Sequence, residues 1–287
     1  MEWEKAKNLI LLFFVLLNQA LGGLLFLESR RYTVTPEREQ VITAIMNQNN
    51  ISKDTRLIRR FPPMRAINVA GFYYNLDDLI SAFFGDATDV RHITTPHGHI
   101  ISYGPAELII DHGFISYDNP EGHGGPWSTL PDLDKTSAQR LTDAFVRSNW
   151  PSFQLDDVLE GNGWLRLSYR EVYRGYIIHS NFIEFIVTEV GIVQVDMQFS
   201  RVLEWYGPEQ PIAAPDEVLL TFVQRVRGIA TVTPIVITHM DLVFFQEEGS
   251  TDPYARYHRV EPFYRVFIGG DGSDPFLINA FTNEIIN

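Results

Sequence analysis

Histidine can ligate a metal or carry a proton near neutral pH, so its placement is a first guide to chemistry. Five of the eight histidines fall in one short interval: His92, His97, His99, His112 and His123. If His97-Gly98-His99 lies on a strand, residues two apart place both rings on one face, and Asp111-His112 could add ligands to a zinc site. The helical H-E-x-x-H arrangement of metalloproteases does not occur in the chain. The metal candidates are therefore the weak set His97, His99 and His112. Exposed hairpin histidines are the plainer account, and no metal or cofactor is expected.

Carboxylates come in clusters at Asp132 and Asp134, Asp156-Asp157 and Glu247-Glu248. Paired carboxylates do acid–base work only where their surroundings separate their pKa values. These pairs sit in loop-like sequence and read as solvated. Gly269-Gly270-Asp271-Gly272-Ser273-Asp274 resembles a calcium loop only in composition, lacks the closing glutamate and reads as a hairpin loop. No G-x-S-x-G run, phosphate-cradling glycine loop or cysteine is present. These observations name no catalytic residue, and the chain is not expected to be an enzyme.

The elements that position these residues begin with an uncharged apolar run, Leu9 to Leu27. As a helix it would span about 28 Å, close to the ~30 Å hydrocarbon core of a bilayer. The run continues beyond the usual length of a secretory signal core and ends in no small-x-small cleavage pattern, so it reads as a retained anchor, with a cleaved signal peptide as the alternative. Asn18 and Gln19 lie within the span beside the small residues Ala20, Gly22 and Gly23. An amide in hydrocarbon seeks a partner, and small neighbours let a second helix approach. Asn18, Gln19, Ala20 and Gly22 are thus candidates for a helix–helix contact. Lys5 and Lys7 on one side nearly balance Arg30, Arg31 and Arg38 on the other, so the positive-inside rule alone leaves the orientation open.

Roughly 260 residues follow, enough for two ordinary domains or one large one. The net charge of −13 lies entirely in that part and argues against nucleic acid as a partner. Helices are predicted from Thr35-Pro36-Glu37 through Met46, over Leu76–Phe84 behind Asn75, over Lys135–Trp150, and from Pro215 through Val226. Strands are predicted over Arg56–Arg60, Ala66–Phe72, hairpins in Val90–Tyr117, and several runs after Pro151. A Gly/Pro-rich stretch, Asp118–Pro131, is the candidate boundary. The division expected is 1–8 a short cytoplasmic end, 9–27 the anchor, 28–130 one α+β part, and 131–287 a second, itself two helix-plus-strand repeats (Lys135–Tyr206 and Pro215–Ile286). The fold class is α+β: a transmembrane helix, then antiparallel sheets each packed with helices.

Met1-Glu2-Trp3-Glu4-Lys5-Ala6-Lys7-Asn8, leading at once into an Asn-containing span and about 260 further residues, resembles the YycI (WalI) family. Glu261–Ile286 resembles the last strands of PepSY-type and YycH/YycI-type domains, with Asn279-Ala280-Phe281-Thr282-Asn283-Glu284 at the turn. The resemblance implies a single-pass protein with its N-terminus in the cytoplasm and its α+β body outside the cell membrane. It further implies no catalysis, association with a YycH-like protein and with a sensor histidine kinase of the WalK type, and control of cell-wall metabolism. Two other classes remain open at this point: an anchored metal-dependent hydrolase using the His92–His123 region, and a wall- or peptide-binding module that docks a strand on a sheet edge.

Overall fold

The connection between the first two helices already shows how the molecule is organised: a long apolar helix leads directly into a folded body. The structure, a computed structural model, describes residues 2–72, 74–121, 133–198, 200–230, 233–246, 257–269 and 274–286. His123, Asp132, Glu247-Glu248, Gly270-Asp271-Gly272-Ser273 and most of the Gly/Pro-rich stretch lie outside the described residues. Helix α1 is Glu2–Arg31, and its Trp3–Leu24 stretch is long and apolar enough to cross a membrane, with none of it buried against the body.

The body carries α2 (Pro36–Gln48), α3 (Leu76–Phe84), α4 (Lys135–Asn149) and α5 (Pro215–Ala230). Their starts follow from side-chain capping of free backbone N–H groups. The Thr35 hydroxyl accepts from the Arg38 N–H ahead of Pro36, the Asn75 side chain from the Asp77 N–H, and the Asp134 carboxylate from Thr136 and Ser137 at 2.9 and 3.0 Å. Gly85, at φ +60°, ends α3 in the left-handed region that favours glycine.

The strands are β1 (Ile51–Lys53), β2 (Met64–Phe72), β3 (Arg91–Thr95), β4 (Gly98–Tyr103), β5 (Ala106–Asp111), β6 (Phe114–Asp118), β7 (Phe153–Gly161) and β8 (Trp164–Tyr173). They continue with β9 (Tyr176–Thr188), β10 (Gly191–Gln198), β11 (Ser200–Gln210), β12 (Ile235–Phe245), β13 (Tyr257–Ile268), β14 (Phe276–Asn279) and β15 (Ile285–Ile286). The predicted strand at Arg56–Arg60 does not form. Pro62-Pro63 follow it and can donate no ladder bond, and its pairing is a single bridge from Arg60 to Thr33.

The fifteen strands of the described residues join in one mixed sheet rather than in separate antiparallel ones, with the main order β11-β2-β13-β12-β9-β10-β6-β5-β4-β3. Two contacts are parallel: β1 with β12, and β12 with β9 at Val243↔Ile177 and Phe244↔Ile178. That second contact welds two lobes, each with its own core. The first lobe uses residues 32–72 and 200–286, and buries Ile42, Met46, Ile67, Leu219, Phe222 and Tyr264 between α2, α5 and the sheet. The second uses 74–198, and buries Phe83, Tyr117, Phe145, Tyr169 and Phe185 under α3 and α4. Residues 28–130 and 131–287 each contribute to both cores. Strand β9 serves both, with Ile178 in the first core and Ile183, Phe185 and Val187 in the second. The helices cover one face of each sheet half and leave the other open.

Candidate functional site

Along β8, Leu165, Leu167 and Tyr169 are buried in the second core, so the side-chain period of two turns Arg166, Ser168 and Arg170 to the open face. In the first lobe Tyr264 and Val266 face the core, which turns Arg265 of β13 the other way. A cleft of about 1130 Å³ lies between the lobes on this face. Arg166, Arg170, His179 and Asp156 line one wall, and Arg265, Phe267, Phe276 and Leu277 line the other.

Arg265 is the centre of the cleft floor, with its side chain only 1% exposed. All five of its N–H donors are used. Nε donates to Asp241 Oδ1 at 2.9 Å and Nη2 to Asp241 Oδ2, directly across the β12–β13 pair. Nη1 and Nη2 donate to Asp156 Oδ2 and Oδ1 at 2.6 and 2.8 Å, and Nη1 also donates to His179 Nδ1 at 3.2 Å. Burial alone would raise the Asp156 carboxyl, but the Arg265 guanidinium, with Arg170 behind it, holds it below the usual carboxylate range. Burial, helped by Arg170 and Arg265, pushes His179 down to about 3, so its ring is neutral and accepts the Arg265 proton. Arg265 itself is raised despite burial, because its carboxylate partners outweigh the lost hydration.

Asp156 was expected to be a solvated loop residue beside Asp157. It lies instead on β7, where a bulge between Leu155 and Asp157 sends Asp156 into the cleft floor and leaves Asp157 exposed. No local pattern reveals Arg265 as its partner 109 residues away. The readable signal was the alternation of Leu165-Leu167-Tyr169 with Arg166-Ser168-Arg170.

The histidines fall into two pairs. His97 sits in the β3–β4 turn and not on a strand, so it does not share a face with His99. Its ring stacks on His112 at 4.4 Å between centroids, and His112 Nδ1 lies 2.8 Å from Asp111 Oδ1. His99, on β4, meets His92 of β3, with Nε2 and Nδ1 2.9 Å apart. Among the described residues, no group of three or more His, Asp or Glu is placed to hold a metal ion. On α1, Asn18 and Gln19 lie one turn before Gly22 and flank its face, while Ala20 points elsewhere around the helix. All four are exposed, and a Cβ on Gly22 would meet nothing.

No family model and no curated protein sequence matches the chain. Among solved structures, an uncharacterized protein from Eubacterium rectale superposes with a TM-score of 0.52 at 14% identity, covering 83% of this chain and 90% of that one. The C-terminal domain of YpeB from Bacillus megaterium superposes at 0.42 and 8% identity, covering 75% of this chain and 96% of that domain. The chain is therefore similar in fold to the Eubacterium rectale protein across most of both molecules.

Proposed function

We propose that the protein is a single-pass membrane regulator of the YycI kind, which acts by binding rather than catalysis and modulates a WalK-type sensor histidine kinase. In this reading the N-terminus is cytoplasmic, the PepSY-like body lies outside the cell membrane, and a YycH-like protein binds alongside. The observation that carries it is α1. Its residues are apolar on every side of the helix, and Leu9, Phe13 and Leu24 are 70%, 63% and 64% exposed. A helix apolar all round needs a membrane or a core to cover it. Asn18 and Gly22 on one face then supply a polar, close-packing contact for a second transmembrane helix. Such a protein biases a kinase only by binding one signalling state more tightly than the other.

The test is autophosphorylation of a WalK-type kinase in membrane vesicles, with the protein, without it, and with Asn18→Leu. A change in rate that Asn18→Leu abolishes is the expected outcome. A change that survives would move the contact from the span to the body. No change in either arm would sink the kinase assignment.

A further inference from the structure

Among the described residues, the cleft lining holds one arginine, Arg166, that makes no ion pair. Arg265 is saturated by Asp156, Asp241 and His179, and Arg170 Nη2 donates to Glu184 Oε1 at 3.0 Å. Arg170 Nε is buried without a hydrogen bond; Asp156 Oδ2 is 3.8 Å away, close enough for attraction but too far to accept. Arg166 Nε is also buried without a hydrogen bond, and among the described residues the Arg166 side chain makes no ion pair. Between them on β8, Ser168 is 5% exposed and lines the cleft. A buried donor left unpaired is costly, and the arginines that carry these donors line the cleft, which points to an acceptor that arrives from outside.

The acceptor's chemistry follows from the surroundings. A planar guanidinium beside a hydroxyl suits a carboxylate. The acids without an arginine partner in the lining are Asp157 and Asp274, both exposed at the rim, and with Glu184 they would repel a doubly charged phosphate. The neutral His179 adds no positive charge. Beyond the paired Arg265, the facing wall presents the apolar side chains Phe267, Phe276, Leu277 and Ile285. The volume, about 1130 Å³, is above the usual small-ligand range of ~300–1,000 Å³. We infer that the cleft binds a short peptide-sized ligand with an apolar body and a single free carboxylate, held by Arg166 and Ser168. This site is independent of α1 and of the kinase reading.

The experiment is isothermal titration of the full chain in lipid nanodiscs with N-acetyl-Ala-Leu-Phe and with its C-terminal amide. The acid is expected to bind, and the amide at least about tenfold more weakly, as for loss of a charge-assisted hydrogen bond. Arg166→Gln is expected to weaken the acid by about the same factor and to leave acid and amide alike. Equal binding of acid and amide, unchanged binding to folded Arg166→Gln, or no binding of either at millimolar concentration would each overturn the site. Inorganic phosphate binding more tightly than the peptide acid would overturn the single-carboxylate assignment. Should Arg166→Gln not fold, Arg166→Lys keeps the charge and removes the planar fork, and undiminished binding of the acid there would overturn the role given to Arg166. The acid–amide contrast needs no variant.

Discussion

The two lobes bury their helices against one sheet by different means. The second lobe is one continuous stretch, 74–198, and a chain of rings runs through its core: Phe83 stacks on Tyr117 at 4.6 Å, Phe145 sits 5.4 Å from Phe83, and Phe185 bridges Phe145 and Tyr169 at 5.5 and 5.6 Å. The first lobe is assembled from both sides of that stretch, and its core is mainly aliphatic, with Ile42, Met46, Ile51, Val69, Val218 and Val223 around a few rings. The chain leaves the first lobe at Phe72 and re-enters at Ser200, and these two residues are paired neighbours on β2 and β11. The return is pinned by Asn181, 1% exposed, whose side chain donates to the Ser200 carbonyl at 2.8 Å and accepts from its N–H at 3.0 Å. The lesson is that the second lobe is topologically an insertion whose pairings, β6 with β10 the most distant, close within its own stretch, whereas the first joins strands from both sides of it, as β1 with β12 and β2 with β13. The short β9–β12 contact, the Arg265 cluster, the Asn181–Ser200 bonds and ring contacts such as Tyr173 with Trp205 join the two lobes.

Removing the clamp therefore tests the comparison most severely. Arg265→Met leaves Asp156 and Asp241 in the cleft floor without their cation and is expected to cost roughly 3–5 kcal/mol. Because Arg265 belongs to the first lobe and Asp156 to the second, denaturant unfolding should split into two transitions. A single transition with a loss below about 1 kcal/mol would show that the lobes need no clamp.

A smaller effect sharpens the same point. The neutral state of His179 is enforced by burial and by the two arginines, with a folded value of about 3 against an ordinary 6.5. A depressed base is protonated first in the unfolded chain, so stability is present above pH 6.5 and is lost as pH falls from there toward 3. From pH 7 to 5 the loss should be at most about 2 kcal/mol, trimmed by the solvent that reaches the cleft. Chemical denaturation at the two pH values, with His179→Gln for comparison, checks it; an equally steep acid loss in the variant would assign the effect elsewhere.

The smallest effect stays within one lobe. Asp134→Ala removes the cap of α4 and should cost about 1 kcal/mol. Amide exchange should then quicken along α4 while α2 and α5 stay as protected as before. Faster exchange in all three helices would mean that the lobes open together.

Most of the elements were legible because their signals are local. Asn75 before Leu76 and the Arg174-Gly175 turn, at φ +52° and +88°, declare a helix start and a hairpin from a few residues each. A bulge breaks such local signals: on β10 the register shift between Ile192 and Gln194 buries Ile192 and leaves Val193 half-buried. The single mixed sheet was not legible, since alternation reports which face is buried and not which strand lies alongside. The cleft was hidden for the same reason. Arg166, Ser168 and Arg170 read as an ordinary wet face until β13 brings Arg265 opposite. The histidine cluster was visible as composition, but a turn at His97 divides it into pairs.

The passage from α1 to the body has a mechanical consequence. Four residues separate Arg31 from Pro36, and they are not slack. The Val34 N–H donates to the Arg59 carbonyl at 2.8 Å, the Phe61 N–H donates to the Tyr32 carbonyl at 3.1 Å, and Val34 is 2% exposed. A flexible tether would let a body wander by about 5–6 Å times the square root of its length in residues. This junction removes that freedom. For a helix held in a bilayer, the body keeps a fixed standoff from the surface, and its remaining freedom is angular. A twist or tilt imposed on the span becomes a swing of the whole cleft, so the junction works as a lever.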